Sequence, residues 1–117
     1  AVVSEHRHVP ADFRDLVLRR EELAQTSFGN QVAMPHPVQA VSDDTFVCVG
    51  LLRKPIEWNG QAVRAVFLVS VSKAKDKKLD TFYRSMAKLL TNKEAIQKLV
   101  DNQTWDMLVE LLNTFGM

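Results

Sequence analysis

His36 stands between two prolines at the end of the stretch Arg20 to Pro37, REELAQTSFGNQVAMPHP. Proline fixes φ and carries no N–H, and it drives the residue before it into extended geometry. Met34 and His36 are both restricted in this way, as is the backbone at Pro35 and Pro37. The imidazole is therefore presented on a stiff loop. Upstream, Phe28-Gly29-Asn30 is a turn signal, and Arg20 falls near the end of an expected helix. A neutral imidazole is a nucleophile and a guanidinium offers paired N–H donors to an oxyanion. With a run of small polar groups able to fold over the ligand, these residue types suit a phosphoryl group.

Positioning these groups requires a scaffold, and the composition supplies one. The 117 residues are 46% apolar and 25% charged, which describes one ordinary globular domain with a core of its own. We read residues 1–117 as a single domain in which 1–9 form a lead-in, with a first residue other than Met that fits processing, truncation or excision from a longer protein. The single cysteine, Cys48, forms no internal disulfide, and no apolar run is long enough to span a bilayer, so a reducing, cytoplasmic setting without membrane insertion is expected. His6 and His8 are two apart but have no third ligand nearby, and neither a metal nor a cofactor is expected. Net charge is +1, so any preference for an anion must come from local clustering.

Along the chain, Pro10 opens a helix whose apolar stripe is Phe13, Leu16 and Val17, ending between Arg20 and Leu23. An isolated Arg-Glu pair such as Arg20-Glu21 reads first as surface charge. Val32-Ala33-Met34 is a short apolar piece leading into the histidine. Thr45 to Leu52 reads as a strand covered on both faces, with Phe46 and Cys48 facing one way and Val47, Val49 and Leu51 the other. Cys48 in mid-strand is a small hydrophobe, which argues against a Cys48/His36 hydrolase. After Asn59-Gly60, the segment Ala62 to Val71 is the strongest strand signal and reads as central. The loop Lys73 to Lys78 carries four lysines, a solvated face or a cationic rim. Without interleaved aromatics it is a poor nucleic-acid module, the alternative it would otherwise raise. Three helices close the chain, over Leu79–Leu90, from a Thr91-x-x-Glu94 capping box, and from about Thr104. Helix, strands and helices over a two-sided apolar sheet give an α/β protein.

Arg20-Glu21 followed by Thr26-x-x-Gly29-Asn30-x-Val32-Ala33-Met34-Pro35-His36 resembles the fructose/mannitol-type enzyme IIA domain of the bacterial sugar phosphotransferase system. Glu57-Trp58 before the long strand and Asp76-Lys77-Lys78-Leu79 after it extend the likeness over most of residues 10–115. The resemblance implies a three-layer α/β/α sandwich with a mixed sheet. It implies that His36 takes a phosphoryl group from the phosphocarrier HPr, with Arg20, Thr26, Gly29 and Asn30 around the phosphate, in a shallow site that two partner proteins must reach. The next recipient would be a IIB cysteine in a transport-type protein, or regulatory domains of the same polypeptide in a regulator. Three departures stand out. Pro37 replaces the family's glycine, Lys78 replaces a second histidine and leaves a cation for the phosphate, and the N-terminal edge elements of the family are missing ahead of Pro10. The first two resemble IIA-like domains fused to the C-terminus of sugar-operon regulators, where phosphorylation acts as an electrostatic switch. Direct nucleic-acid binding by this domain is not expected.

Overall fold

In the computed structural model, residues 9–73 and 79–116 are described. His6, His8, Lys75, Lys77 and Lys78 lie outside the described residues. Helix α1 spans Phe13–Leu23, followed by the short strands β1 (Ser27–Gly29) and β2 (Val32–Ala33). Two long strands come next, β3 (Phe46–Trp58) and β4 (Gln61–Ser70), and then helices α2 (Leu79–Thr91), α3 (Lys93–Asp101) and α4 (Trp105–Thr114). The sheet is mixed, in the order β1-β2-β4-β3. Strand β2 pairs in parallel with β4, and the other neighbours are antiparallel.

The most apolar segment is thus the central strand, because only a strand flanked on both sides can bury such a run. Ala65, Phe67 and Val69 of β4 point into a core closed by Met86, Leu89 and Leu90 of α2, Ile96 and Leu99 of α3, and Leu108 and Leu111 of α4. On the other face Phe13 of α1 meets Phe46 of β3, with ring centroids 6.4 Å apart. Helices lie on both faces of a mixed sheet, the three-layer α/β arrangement. No described helix is long and apolar enough to cross a membrane.

Strand β3 runs past Leu52 and through Pro55 to Trp58, further than its apolar pattern indicates. Proline is tolerated because β3 is an edge strand and the ladder shifts register between Leu51 and Ile56. Carbonyls freed by this bulge are taken up by side chains. Arg64 donates from Nε to Leu52 O at 3.2 Å and from Nη2 to Arg53 O at 2.8 Å, and Gln103 Nε2 donates to Leu52 O at 2.8 Å. The Asn59-Gly60 turn has positive φ at both residues, 49° and 85°, which lets a two-residue hairpin follow the strand twist. At α3 the cap is Asn92 and not Thr91. The Asn92 side chain accepts from Ala95 N–H at 2.9 Å, whereas the Thr91 hydroxyl turns back to Ala87 O at 2.6 Å, so Thr91 closes α2. Thr104 caps α4 as its position implies, accepting from Met107 N–H at 3.2 Å.

Candidate functional site

His36 is held by the two layers it lies between. Pro35 O accepts from Val69 N–H of β4 at 3.0 Å, and Val38 N–H donates to Leu16 O of α1 at 3.1 Å. Both flanking prolines are buried while the imidazole is half-buried. The ring is fixed as well, because Nδ1 lies 3.0 Å from Met34 O. A carbonyl oxygen only accepts, so this contact is a hydrogen bond only when Nδ1 carries the proton. In the neutral ring, Nε2 then holds the lone pair. The restricted loop thus fixes the position of the imidazole and leaves Nε2 as the nitrogen with the free lone pair.

A shallow pocket of about 160 Å³ opens beside the ring, lined by Arg20, Gln25, Thr26, Ser27, Met34 and His36. Arg20 sits in the last turn of α1, where a cation suits the helix dipole, and its Nη1 donates to Ala24 O at 2.7 Å. That bond anchors one edge of the guanidinium and leaves the remaining N–H groups for an anion. On the other side of His36 a second hollow of about 250 Å³ has an apolar wall that includes Val38, Val69, Val71 and Tyr83.

Glu21 holds the polar side of the pocket together. Its Oε1 accepts from Thr26 N–H at 3.1 Å, Trp58 Nε1 at 2.7 Å and Asn59 Nδ2 at 3.0 Å, and its Oε2 accepts from the Thr26 hydroxyl. Burial pushes the carboxyl up, but the hydrogen bonds from the Thr26 hydroxyl, Trp58 and the Thr26 backbone, with the charge of Arg20, outweigh it and hold the group below its ordinary value. Far from being idle surface charge, Glu21 joins α1, the loop and the β3–β4 hairpin tip. Its place in the Arg20-Glu21 pair and the isolated Trp58 are the sequence signals that could have suggested this role.

Arg20, Thr26 and His36 are therefore brought together. Gly29 and Asn30 are not in the lining of this pocket. They form a turn with Gln31 in which all three residues have positive φ, 74°, 50° and 65°, and Asn30 Nδ2 donates to Leu90 O at 2.9 Å, tying the turn to the end of α2. Gln31 O accepts from Arg64 N–H and Ala65 N–H, which sets the register between β2 and β4. Lys78 lies outside the described residues, and Lys73 is 3.5 Å from Asp43. Sequence reasoning also passed over Gln25 and Ser27 in the pocket wall. A larger hollow, about 890 Å³, lies elsewhere, between β3, α2 and α4, with Trp105 73% exposed at its rim. Its lining is mostly apolar and carries no ionisable side chain, whereas Arg20 and His36 line the small pocket.

The family model of the phosphoenolpyruvate-dependent sugar phosphotransferase system, EIIA 2, matches residues 2–114. The chain belongs to this family. This EIIA chain is 32% identical over 99 residues to the probable licABCH operon regulator of Bacillus subtilis (strain 168), a match that covers 85% of the chain and 15% of that protein. It is 23% identical over 95 residues to transcriptional regulator ManR of the same organism, covering 81% of the chain and 15% of ManR. The EIIA chain thus spans about 15% of the length of the curated relatives it matches. Among solved structures, Escherichia coli IIA mannitol superposes with a TM-score of 0.73 at 20% identity, covering 95% of this chain and 80% of that one. IIA mannitol in its complex with phosphorylated IIB mannitol, also from E. coli, gives 0.77 at 21% identity, with 97% and 80% covered. At these identities the likeness is one of fold, and it is the three-layer α/β fold described above.

Proposed function

We propose that His36 is a phosphoryl acceptor, charged through Nε2 by the phosphocarrier HPr, and that its phosphorylation state is read by other domains of a sugar-operon regulator. The observation that carries this reading is the Nδ1–H bond to Met34 O, which leaves the lone pair on Nε2 of a ring that lines the same pocket as Arg20. In the transfer, Nε2 forms a bond to phosphorus as the N–P bond of the donor phosphohistidine breaks, and that bonding pair returns to the donor imidazole. The proton stays on Nδ1, donated in a hydrogen bond to Met34 O, throughout. Charge in a loose transition state is spread over three equatorial oxygens, so positioning and donors are what the protein contributes. Arg20 presents a rigid fork, and Thr26, whose hydroxyl donates to Glu21, acts by shaping the wall. Gly29 and Asn30 support the phosphate indirectly, through the turn that aligns β2. Lys78 offers a further cation. The likeness to two regulators supports the signalling role. The fold shared with an IIA that is found with phosphorylated IIB supports a second reading, onward transfer to a IIB cysteine. Either reading implies a cytoplasmic protein supplied by phosphoenolpyruvate.

The test is incubation with enzyme I, HPr and phosphoenolpyruvate, followed by mass mapping. The expected product is an acid-labile, base-stable phosphoryl adduct on His36, absent in His36→Ala. No adduct on the wild-type chain, under conditions that charge a known IIA, refutes the acceptor role. Chase of the adduct onto a IIB cysteine would favour transport over signalling.

A further inference from the structure

We propose that the Ser27 hydroxyl is a ligand of the phosphoryl group on His36, an inference that rests on the acceptor reading of that histidine. Ser27 opens β1 and lines the same small pocket as Arg20 and His36. Among the described residues, its Oγ is the buried side-chain polar atom that lacks a hydrogen-bond partner. Buried hydroxyls are paired in the great majority of cases, so an orphan in the wall of a reactive pocket calls for a physical reason.

The neighbouring hydroxyl shows the contrast. Thr26 Oγ1 donates to Glu21, so its proton is already committed. The proton of Ser27 is not. Serine has a short side chain with three staggered χ1 wells, and one rotation about Cα–Cβ redirects Oγ without moving the backbone. In the uncharged protein this hydroxyl faces no acceptor. A phosphoryl dianion on Nε2 brings three acceptor oxygens into the pocket, and a hydroxyl donating to an anionic oxygen makes a short, charge-assisted bond. One edge of Arg20 is held by Ala24 O, so its remaining N–H groups and the Ser27 hydroxyl would take different oxygens. The orphaned donor is thus a cost borne by the uncharged state and relieved in the charged one, a differential interaction that shifts the transfer equilibrium towards phospho-His36.

The experiment uses the full chain as wild type, Ser27→Ala and Ser27→Cys, each equilibrated with phosphorylated HPr. It reads the equilibrium constant for transfer to His36 and the melting temperature of the uncharged protein. Wild type must first be labelled on His36; failure there overturns the acceptor role and this inference with it. With wild type labelled, Ser27→Ala is expected to shift the equilibrium about tenfold towards HPr. Its uncharged melting temperature should equal or exceed the wild-type value, because an unpaired buried hydroxyl has been removed. Ser27→Cys keeps the approximate side-chain size but is a weak donor, and should follow Ser27→Ala. An unchanged equilibrium in Ser27→Ala overturns the proposal even though His36 is charged. So does a wild-type equilibrium in Ser27→Cys, since size and not donation would then be what counts.

Discussion

Replacing Glu21 tests how the pocket is held together. Glu21→Ala removes the acceptor of four hydrogen bonds at once. The costs are unequal. The Asn59 amide is exposed and turns to water, and the half-buried Trp58 indole recovers part of its bond. Thr26, however, is 6% exposed, and its N–H and hydroxyl both donate to Glu21. A buried donor left unsatisfied costs about 1–3 kcal/mol, so Thr26 with a share from Trp58 gives about 3 kcal/mol. For a domain of this size that lowers the melting temperature by about 12 °C, taking about 4 °C per kcal/mol. Glu21→Gln keeps one acceptor oxygen, and its amide can donate to a reversed Thr26 hydroxyl. Only charge assistance is lost, about 1 kcal/mol. The carboxyl is held below its ordinary value in the folded protein, so its stabilisation is fully present above the unfolded-state glutamate pKa of about 4.3 and is lost as pH falls through the folded value. Thermal unfolding followed by circular dichroism at pH 7, 5 and 3.5 should show a gap between wild type and Glu21→Gln that is constant from pH 7 to 5 and narrows at pH 3.5. A Glu21→Ala protein within about 0.5 kcal/mol of wild type, or a gap that widens on acidification, would refute this account.

Two further substitutions separate binding roles from structural ones. Arg20→Ala should slow phosphoryl uptake on His36 by about 10²-fold, and Arg20→Lys, which keeps the charge but not the fork, by about tenfold in a rapid-quench assay of labelling. Asn30→Ala loses the bond to Leu90 O and places an alanine at a φ of 50°, so chemical denaturation should show about 2 kcal/mol of lost stability while the labelling rate of the folded protein stays within about twofold of wild type.

The layers and the central strand were readable from pattern because burial writes itself into hydropathy. The run Ala62 to Val71 can be satisfied only between two other strands and under helices, and β4 occupies that place. His36 and Arg20 were legible because proline geometry and guanidinium chemistry are local properties of the chain. What escaped was non-local or depended on one hydrogen atom. Thr91 and Asn92 can both cap a helix, and which of them ends α2 or starts α3 depends on the packing of both helices. The extension of β3 beyond Pro55 depends on donors from Arg64 and Gln103, residues far along the chain. Glu21 looked like solvated charge because Trp58 and Asn59 reach it only after the hairpin has folded back. Gly29 and Asn30 matched a turn at the pocket, yet the left-handed backbone directs Asn30 to α2.

The group that orients His36 is a peptide oxygen, and this has consequences for inheritance and for energetics. Every amino acid at position 34 offers the same carbonyl, so drift in that side chain leaves the imidazole proton where it is, whereas a carboxylate in the same role would be lost by a single codon change. A carbonyl also does not titrate, so the acceptor itself is unchanged by pH. Being uncharged, it pulls on the imidazole proton less than an anion would. Under the acceptor role proposed above, a histidine that must surrender what it accepts is better served by that weaker hold.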